Sequence, residues 1–258
     1  MKLSATIITY NEEHNIKACL ESLFFVDEIV VVDSGSTDQT EAICRSFAQV
    51  CFYHQPWLGF GKQKNAAAAY ATHDWILNID ADERVSDALR QSICSLSLSS
   101  EGPAAFRMAR ENYFGAVWVR HSGWYPDFNA RLYDKGRCSF SERAVHESLV
   151  CSGELVTLAG NLIHKSYRDV ADFIDRQQRY AALFAEEQAL VRRPISYPIL
   201  VLKSAFTFIK MYLFRRGFLD GATGFLLAVL YSHYTFTKYA RMNDRICSKA
   251  QRGGDNAG

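Results

Sequence analysis

Apolar runs with strand character alternate with amphipathic segments over the first third of the chain. Residues 3–9 form the first run, closed by the polar cluster Thr9-Tyr10-Asn11-Glu12-Glu13. Ile16, Leu20, Leu23 and Phe24 follow at helical spacing, so residues 15–25 read as a helix. Residues 28–32 (Glu-Ile-Val-Val-Val) are a second run, ending at Asp33. Ser36 with Gln39 three positions later matches a capping box, which predicts a helix over 37–47. Residues 50–54 read as a third strand, and the Ala-rich stretch 62–70 as a helix. The fourth run, Trp75-Ile76-Leu77-Asn78-Ile79, lacks the alternation of a half-buried strand and stops abruptly at Asp80-Ala81-Asp82-Glu83. This rhythm predicts an α/β fold with a doubly wound, Rossmann-like, mostly parallel sheet.

Farther along, 86–98 looks helical. Residues 104–150 are short and β-like, with Tyr113, Phe114, Trp118, Trp124 and Tyr125 among Arg107, Arg110, Arg120 and Arg131. Those aromatics suit a core or the faces of sugar rings, and both readings stay open. Residues 169–190 predict a long amphipathic helix. Two apolar stretches, 195–214 and 221–236, predict a helical hairpin turning near Arg215-Arg216-Gly217. The second is shorter than the roughly 20 residues a spanning helix needs, and Lys203 and Lys210 interrupt the first. The expectation is a helical pair lying in the membrane interface; a pair packed on the enzyme core is the alternative. The boundaries are therefore 1–165 for the main domain, 166–250 for a helical extension and 251–258 for a flexible tail.

Composition narrows the picture. A chain of 258 residues with 48% hydrophobic and 22% charged residues can bury a core and hold one large domain with an appendage. A net charge of +1 argues against a generic nucleic-acid binder. From residue 196 to 252, however, Lys203, Lys210, Arg215, Arg216, Lys238, Arg241, Arg245, Lys249 and Arg252 face only Asp220 and Asp244. Such a segment is drawn to an anionic membrane surface. The seven cysteines are scattered, without a CxxC pair, which suits neither a zinc site nor a disulfide framework. No signal peptide fits the start, so the expected location is the cytoplasm, peripheral on the inner face of its membrane.

Acids at the ends of buried parallel strands mark a ligand cleft, because open α/β sheets bind at that edge. Thr9, Tyr10 and Glu12 with Asp33 can read a uracil and ribose by stacking and hydrogen bonds. Lys62 or Lys64 can neutralise phosphate. Asp80 and Asp82 can hold ribose and a hard divalent cation, Mg2+ or Mn2+, which would stabilise a leaving diphosphate. Together these residues fit a UDP-sugar donor.

Ile7-Ile8-Thr9-Tyr10-Asn11-Glu12-Glu13, Val31-Val32-Asp33-Ser34-Gly35-Ser36-Thr37-Asp38, Lys64-Asn65-Ala66-Ala67 and Asp80-Ala81-Asp82 resemble, in order and spacing, the motifs of family 2 glycosyltransferases. The resemblance implies the nucleotide-sugar-binding fold called GT-A. Arg131-Leu132-Tyr133, Val145-His146-Glu147 and Gly217-Phe218-Leu219-Asp220-Gly221 look like the branch of lipopolysaccharide inner-core β-1,4-glucosyltransferases of the WaaE/KdtX type. That narrower likeness implies inverting transfer of glucose from UDP-glucose to a heptose of a lipid-linked core saccharide. Inversion calls for a carboxylate base near the acceptor hydroxyl. Glu147 is the first choice by the family's pattern and Asp127 the second; His146 and His164 are candidates to complete the metal shell. A polyprenyl-phosphate or another envelope glycan is the alternative acceptor. A nucleotidyltransferase would need a Gly-rich loop after the first strand, and a dehydrogenase G-x-G-x-x-G there; neither is present. A non-catalytic membrane adaptor with this fold would be expected to have lost Asp33, Asp80, Asp82 and Glu147, and all remain.

Overall fold

The computed structural model describes residues 2–141 and 148–255, and these divide into two compact units. The first comprises 1–111 and 126–164, and the second 112–125 and 165–258. The segment 112–125, placed by its sequence position in the main domain, belongs to the second unit, because there its aromatic side chains enter an apolar cluster.

In the first unit, β1 (Leu3–Thr9), α1 (Ile16–Glu21), β2 (Glu28–Asp33), α2 (Thr40–Arg45), β3 (Val50–His54), α3 (Phe60–Tyr70) and β4 (Trp75–Asn78) follow the expected rhythm. β1 pairs in parallel with both β2 and β4, and β2 with β3, giving the order β3-β2-β1-β4. Alternate residues feed opposite faces, as the strand period requires. Ile29, Val31 and Leu77 join Ile16 and Leu20 of α1 in one core, whereas Val30, Val32 and Ile76 join Ala67 and Ala68 of α3 in another. Burial on both faces explains why these strands read as unbroken apolar runs.

Beyond β4 the chain adds β5 (Glu83–Val85), α4 (Asp87–Cys94), β6 (Ala105–Phe114), β8 (Asp127–Asp134) and β11 (Leu155–Tyr167), with β7 (Val117–Trp118) between β6 and β8 in sequence. The sheet order is β3-β2-β1-β4-β8-β6-β11-β5. β8 is antiparallel to both β4 and β6, so the sheet is mixed on this side. Gly160 of β11 holds a positive φ of 88°, and a Cβ there would lie 2.3 Å from the Leu89 backbone nitrogen. Only glycine lets β11 pass α4 so closely.

Two expectations need correction. The helix expected over 37–47 is only α2, because Ser36 does not cap it: the Ser36 hydroxyl donates to Asp33 Oδ1 and accepts the Asn11 amide at 2.8 Å. The cysteines, expected to be unpaired, include one bridge. Cys138 and Cys151 are cross-strand partners on β9 (Cys138–Phe140) and β10 (Leu149–Cys151), with Cα atoms 4.1 Å apart, and form a disulfide. Their separation of 13 residues hid a pairing that only the antiparallel register reveals.

The second unit is helical: α5 (Val170–Gln188), α6 (Tyr197–Ile209), a π-helical turn Lys210–Phe214, a 3-10 turn Gly217–Asp220 and α7 (Gly221–Asp255). α7 runs on past 250 into the stretch expected to be a flexible tail. Phe114 and Trp124 pack with Phe173, Leu227 and Leu230, so these two aromatics are core. Asn243 clamps Ile195, accepting its N–H at 2.9 Å and donating to its carbonyl at 2.6 Å. Asp220 accepts the His121 amide at 2.9 Å and lies 2.8 Å from His121 Nδ1, which gives the Gly217–Asp220 turn a structural purpose.

Candidate functional site

The C-terminal ends of β1, β2 and β3 are level. Thr9 pairs with Asp33, and Asp33 with His54. The loops that follow β1 and β2 are stitched together by short hydrogen bonds. The Thr37 amide donates to Asn11 Oδ1 at 2.8 Å, the Glu12 amide to Thr40 Oγ1 at 2.8 Å and the Gln39 amide to Glu13 Oε2 at 3.0 Å. The edge is thus a preformed polar rim, with Tyr10 59% exposed on it. Thr9 Oγ1 is buried there and has no hydrogen-bond partner among the described residues. A buried hydroxyl without a partner is costly unless a ligand completes it.

Asp33 closes β2, as expected. It is 1% exposed, and its Oδ2 accepts the Gly35 and Ser36 amides, each at 2.8 Å. It therefore shapes the loop that follows β2. Glu12 Oε2 accepts from Asn15 Nδ2 at 2.9 Å. On α3, Lys62 is exposed, whereas Lys64 is buried and its Nζ lies 3.4 Å from Asp80 Oδ1. Asn65 pins α3 to β9 by a reciprocal pair with the Phe140 backbone at 2.8 and 2.9 Å. The Lys-Asn-Ala-Ala motif thus aims a cation at the strand end, anchors the helix and fills the core.

Past β4 lies a cluster of charges. Arg131 of β8 donates through Nη2 to Asp80 Oδ2 and to Glu83 Oε1, the latter at 2.7 Å, and through Nη1 to Asn78 Oδ1 at 3.1 Å. Glu83, wholly buried, also accepts the Asp80 amide at 3.0 Å and Arg110 Nη1 at 3.3 Å. Arg110 then grips Asp127 Oδ2 through Nε at 2.9 Å and Nη2 at 2.6 Å. Burial works against an ionised Asp80, but Arg131 and Lys64 outweigh it and hold the carboxyl well below the usual carboxylate range. Burial likewise disfavours charged Arg131, and the carboxylates of Asp80 and Glu83 reverse this and keep it protonated.

Of the expected metal ligands, Asp82 and His164 come together, with Oδ2 and Nε2 3.3 Å apart. His164 stands opposite Glu83 across β11 and β5, which explains how a residue so distant in sequence reaches the acidic turn. Asp80 is not with them, since its two oxygens face Lys64 and Arg131. Among the described residues no group of three or more His, Cys, Asp or Glu side chains could hold a metal ion. Glu147 and His146 lie outside the described residues. The sequence reading gave Glu83, Arg110 and Arg131 no site role. The available signal was a pair of arginines on strand-like segments otherwise able to enter a core, with three acids at one strand end to receive them.

Residues 4–143 match the family described as Glycosyl transferase family 2. The chain is 34% identical over its full length to the lipopolysaccharide core biosynthesis glycosyltransferase LpsC of Rhizobium meliloti (strain 1021), 97% of which is covered. It is 28% identical, over 94% of its own length and 87% of the relative, to an uncharacterized glycosyltransferase of Rickettsia prowazekii (strain Madrid E). Among solved structures it is similar to S. aureus TarS 1-349 in complex with UDP-GlcNAc, at 16% identity and a TM-score of 0.47, over 97% of this chain and 92% of that one.

The hydrogen bonds of Asp33 predict a structural cost. Asp33→Ala should lower the unfolding free energy by about 1–3 kcal/mol, the scale for leaving buried donors unsatisfied. Urea denaturation checks this, and an unchanged midpoint and slope would remove the turn from Asp33's role.

Proposed function

The chain belongs to glycosyl transferase family 2, and from that premise we propose that it moves a hexose, glucose first, from a UDP-sugar to a heptose of the lipopolysaccharide core, with inversion. Its fold is the GT-A type, built on the parallel strands β3-β2-β1-β4. The observation that carries the donor reading is the polar rim, where Thr9 Oγ1 lacks a partner and Tyr10 offers an exposed ring. The acceptor reading is supported by the full-length likeness to a relative named for lipopolysaccharide core biosynthesis.

Inversion by direct displacement needs few parts. A carboxylate takes the proton of the acceptor hydroxyl, whose oxygen attacks the anomeric carbon opposite the diphosphate. The bond from that carbon to the diphosphate oxygen breaks and UDP departs. Glu147 remains the first candidate base. Asp127 is the second, and its geometry fits a positioned group: Arg110 holds Oδ2 and Asn129 donates to Oδ1 at 3.0 Å. Lys64 supplies positive charge beside the strand end. Asp82 and His164 are the two side chains that would hold a divalent cation, and when bound it would supply Lewis acidity to the diphosphate.

The acceptor is proposed to lie at an anionic membrane surface. Leu202, Phe206, Leu213, Phe214 and Leu219 are 51–71% exposed, with Lys203, Lys210, Arg215 and Arg216 exposed among them. The stretch Tyr197–Phe214 is long and apolar enough to cross a membrane, with 17% of it buried. The exposed lysines and arginines favour the interface over a span. Lys238 and Arg241, basic in sequence, serve helix packing: Lys238 sits over the Phe184 ring, and Arg241 donates to the Gln178 carbonyl at 3.0 Å.

Release of UDP, screened over UDP-sugars with defined core oligosaccharides, tests the activity. Glu147→Gln should leave UDP-glucose binding intact and cut turnover about 100-fold or more. An active Glu147→Gln beside an inactive Asp127→Asn would exchange the two roles. For the membrane, replacing Lys203, Lys210 and Arg216 with Gln should lower co-sedimentation with anionic vesicles, each charge contributing about 1 kcal/mol. Equal partitioning of parent and variant would discard the electrostatic attachment.

A further inference from the structure

The charges around Asp80 form a single row of alternating sign: Lys64, Asp80, Arg131, Glu83, Arg110, Asp127. Its exposure follows a pattern. The side chains of Glu83 and Arg131 are 0% and 5% exposed, that of Arg110 is 20% exposed, and those of Asp80 and Asp127 are 30% and 33% exposed. Between Asp80 and Asp127 the row is thus buried in the middle and surfaces on a carboxylate on either side, while Lys64, beyond Asp80, is 6% exposed. One of these, Asp80, belongs to the strand edge read as the donor site. The other, Asp127, is a candidate base.

We propose that Glu83 is a positioning residue for transfer: one buried anion, shared by Arg131 and Arg110, that fixes the Asp80 carboxylate on one side and the Asp127 carboxylate on the other. This rests on the glycosyltransferase reading above. Glu83 itself is inaccessible, so it acts only through its neighbours. Its Oε1 receives Arg131 at 2.7 Å and Arg110 at 3.3 Å, while Oε2 receives the Asp80 amide at 3.0 Å. Both the backbone and the side chain of Asp80 are therefore referred to the same carboxylate. A buried ion-pair row is a poor device for stability alone, since apolar packing of equal volume serves as well. What it supplies here is orientation of two partly exposed acids by one rigid element, which transfer chemistry rewards. A ligand that draws on Asp80 also changes the share of Arg131 that falls to Glu83, and hence the grip of Arg110 on Asp127.

The test uses the full chain with Glu83→Gln, Arg110→Lys and their combination, reading UDP affinity by calorimetry, kcat with UDP-glucose and acceptor, and thermal melting. Glu83→Gln should lower both UDP affinity and kcat by about tenfold or more, the scale on which misplacement of reacting groups is felt. Arg110→Lys should lower kcat with UDP affinity unchanged, since Nε and Nη2 hold Asp127 while only Nη1 reaches back to Glu83, at 3.3 Å, and Arg131 still joins Glu83 to Asp80. The two effects on kcat should combine to less than their product, because both travel through one chain of contacts. A cooperatively folded Glu83→Gln with wild-type kcat and affinity overturns the proposal, as does a fully multiplicative double variant. If Glu83→Gln does not fold, Arg110→Lys decides: wild-type kcat overturns the proposal, and lowered kcat at unchanged UDP affinity supports it. A wild-type chain that neither binds UDP nor transfers sugar overturns the underlying reading, and this proposal with it.

Discussion

The pairing of Asp80 with Arg131 is the interaction on which the site depends. Arg131, with its side chain 5% exposed, does not tolerate burial without a carboxylate partner. That constraint reaches beyond two side chains. Arg131 meets Asp80 because β8 runs antiparallel to β4 with Leu132 opposite Leu77. Glu83 receives Arg131 because β5 begins directly after the acidic turn. A register slip of one residue in β8 would turn Arg131 to the opposite face and take away the cation that Asp80 and Glu83 share. The antiparallel half of the sheet thereby holds in place an edge that the parallel half creates.

On the other side of that edge, hydrogen bonds do what ion pairs do beyond β4. Asp33 folds its own loop, and the loops after β1 and β2 exchange amide and side-chain partners. What the rim still offers is specific: an orphaned hydroxyl on Thr9 and an exposed ring on Tyr10. Rigid presentation of a few groups is how a preformed site keeps the ordering cost of binding low. The acids of this glycosyltransferase accordingly divide into those that build the rim, such as Asp33 and Glu13, and those that meet a cation or an imidazole past β4, such as Asp80 and Asp82.

The parallel strands β1, β2 and β4 were legible in the sequence because burial on both faces leaves unbroken apolar runs, and residues 50–54 coincide with β3, an edge strand that is only partly buried. Strand-end acids were legible for the same reason, standing out against their runs. The helix after Asp33 was overestimated because a Ser-x-x-Gln spacing cannot reveal that the Ser36 hydroxyl is already committed to Asp33. The roles of Glu83, Arg110 and Arg131 were hidden because their partnership spans three strands, and pairing across antiparallel strands leaves no local periodicity. The Cys138–Cys151 bridge was hidden likewise, since a spacing of 13 residues says nothing without the register. His164 was proposed from resemblance, and its place beside Asp82 depends on β11 lying against β5.

A nucleotide-sugar donor is proposed to rest on the edge formed by the ends of β1, β2 and β4. Photolabelling with UDP-glucose carrying an azide on the uracil ring, followed by peptide mapping, locates it. Label is expected within residues 9–12 and 33–37, suppressed by excess UDP. Label confined to the helices after residue 165, or label that UDP does not suppress, would contradict it.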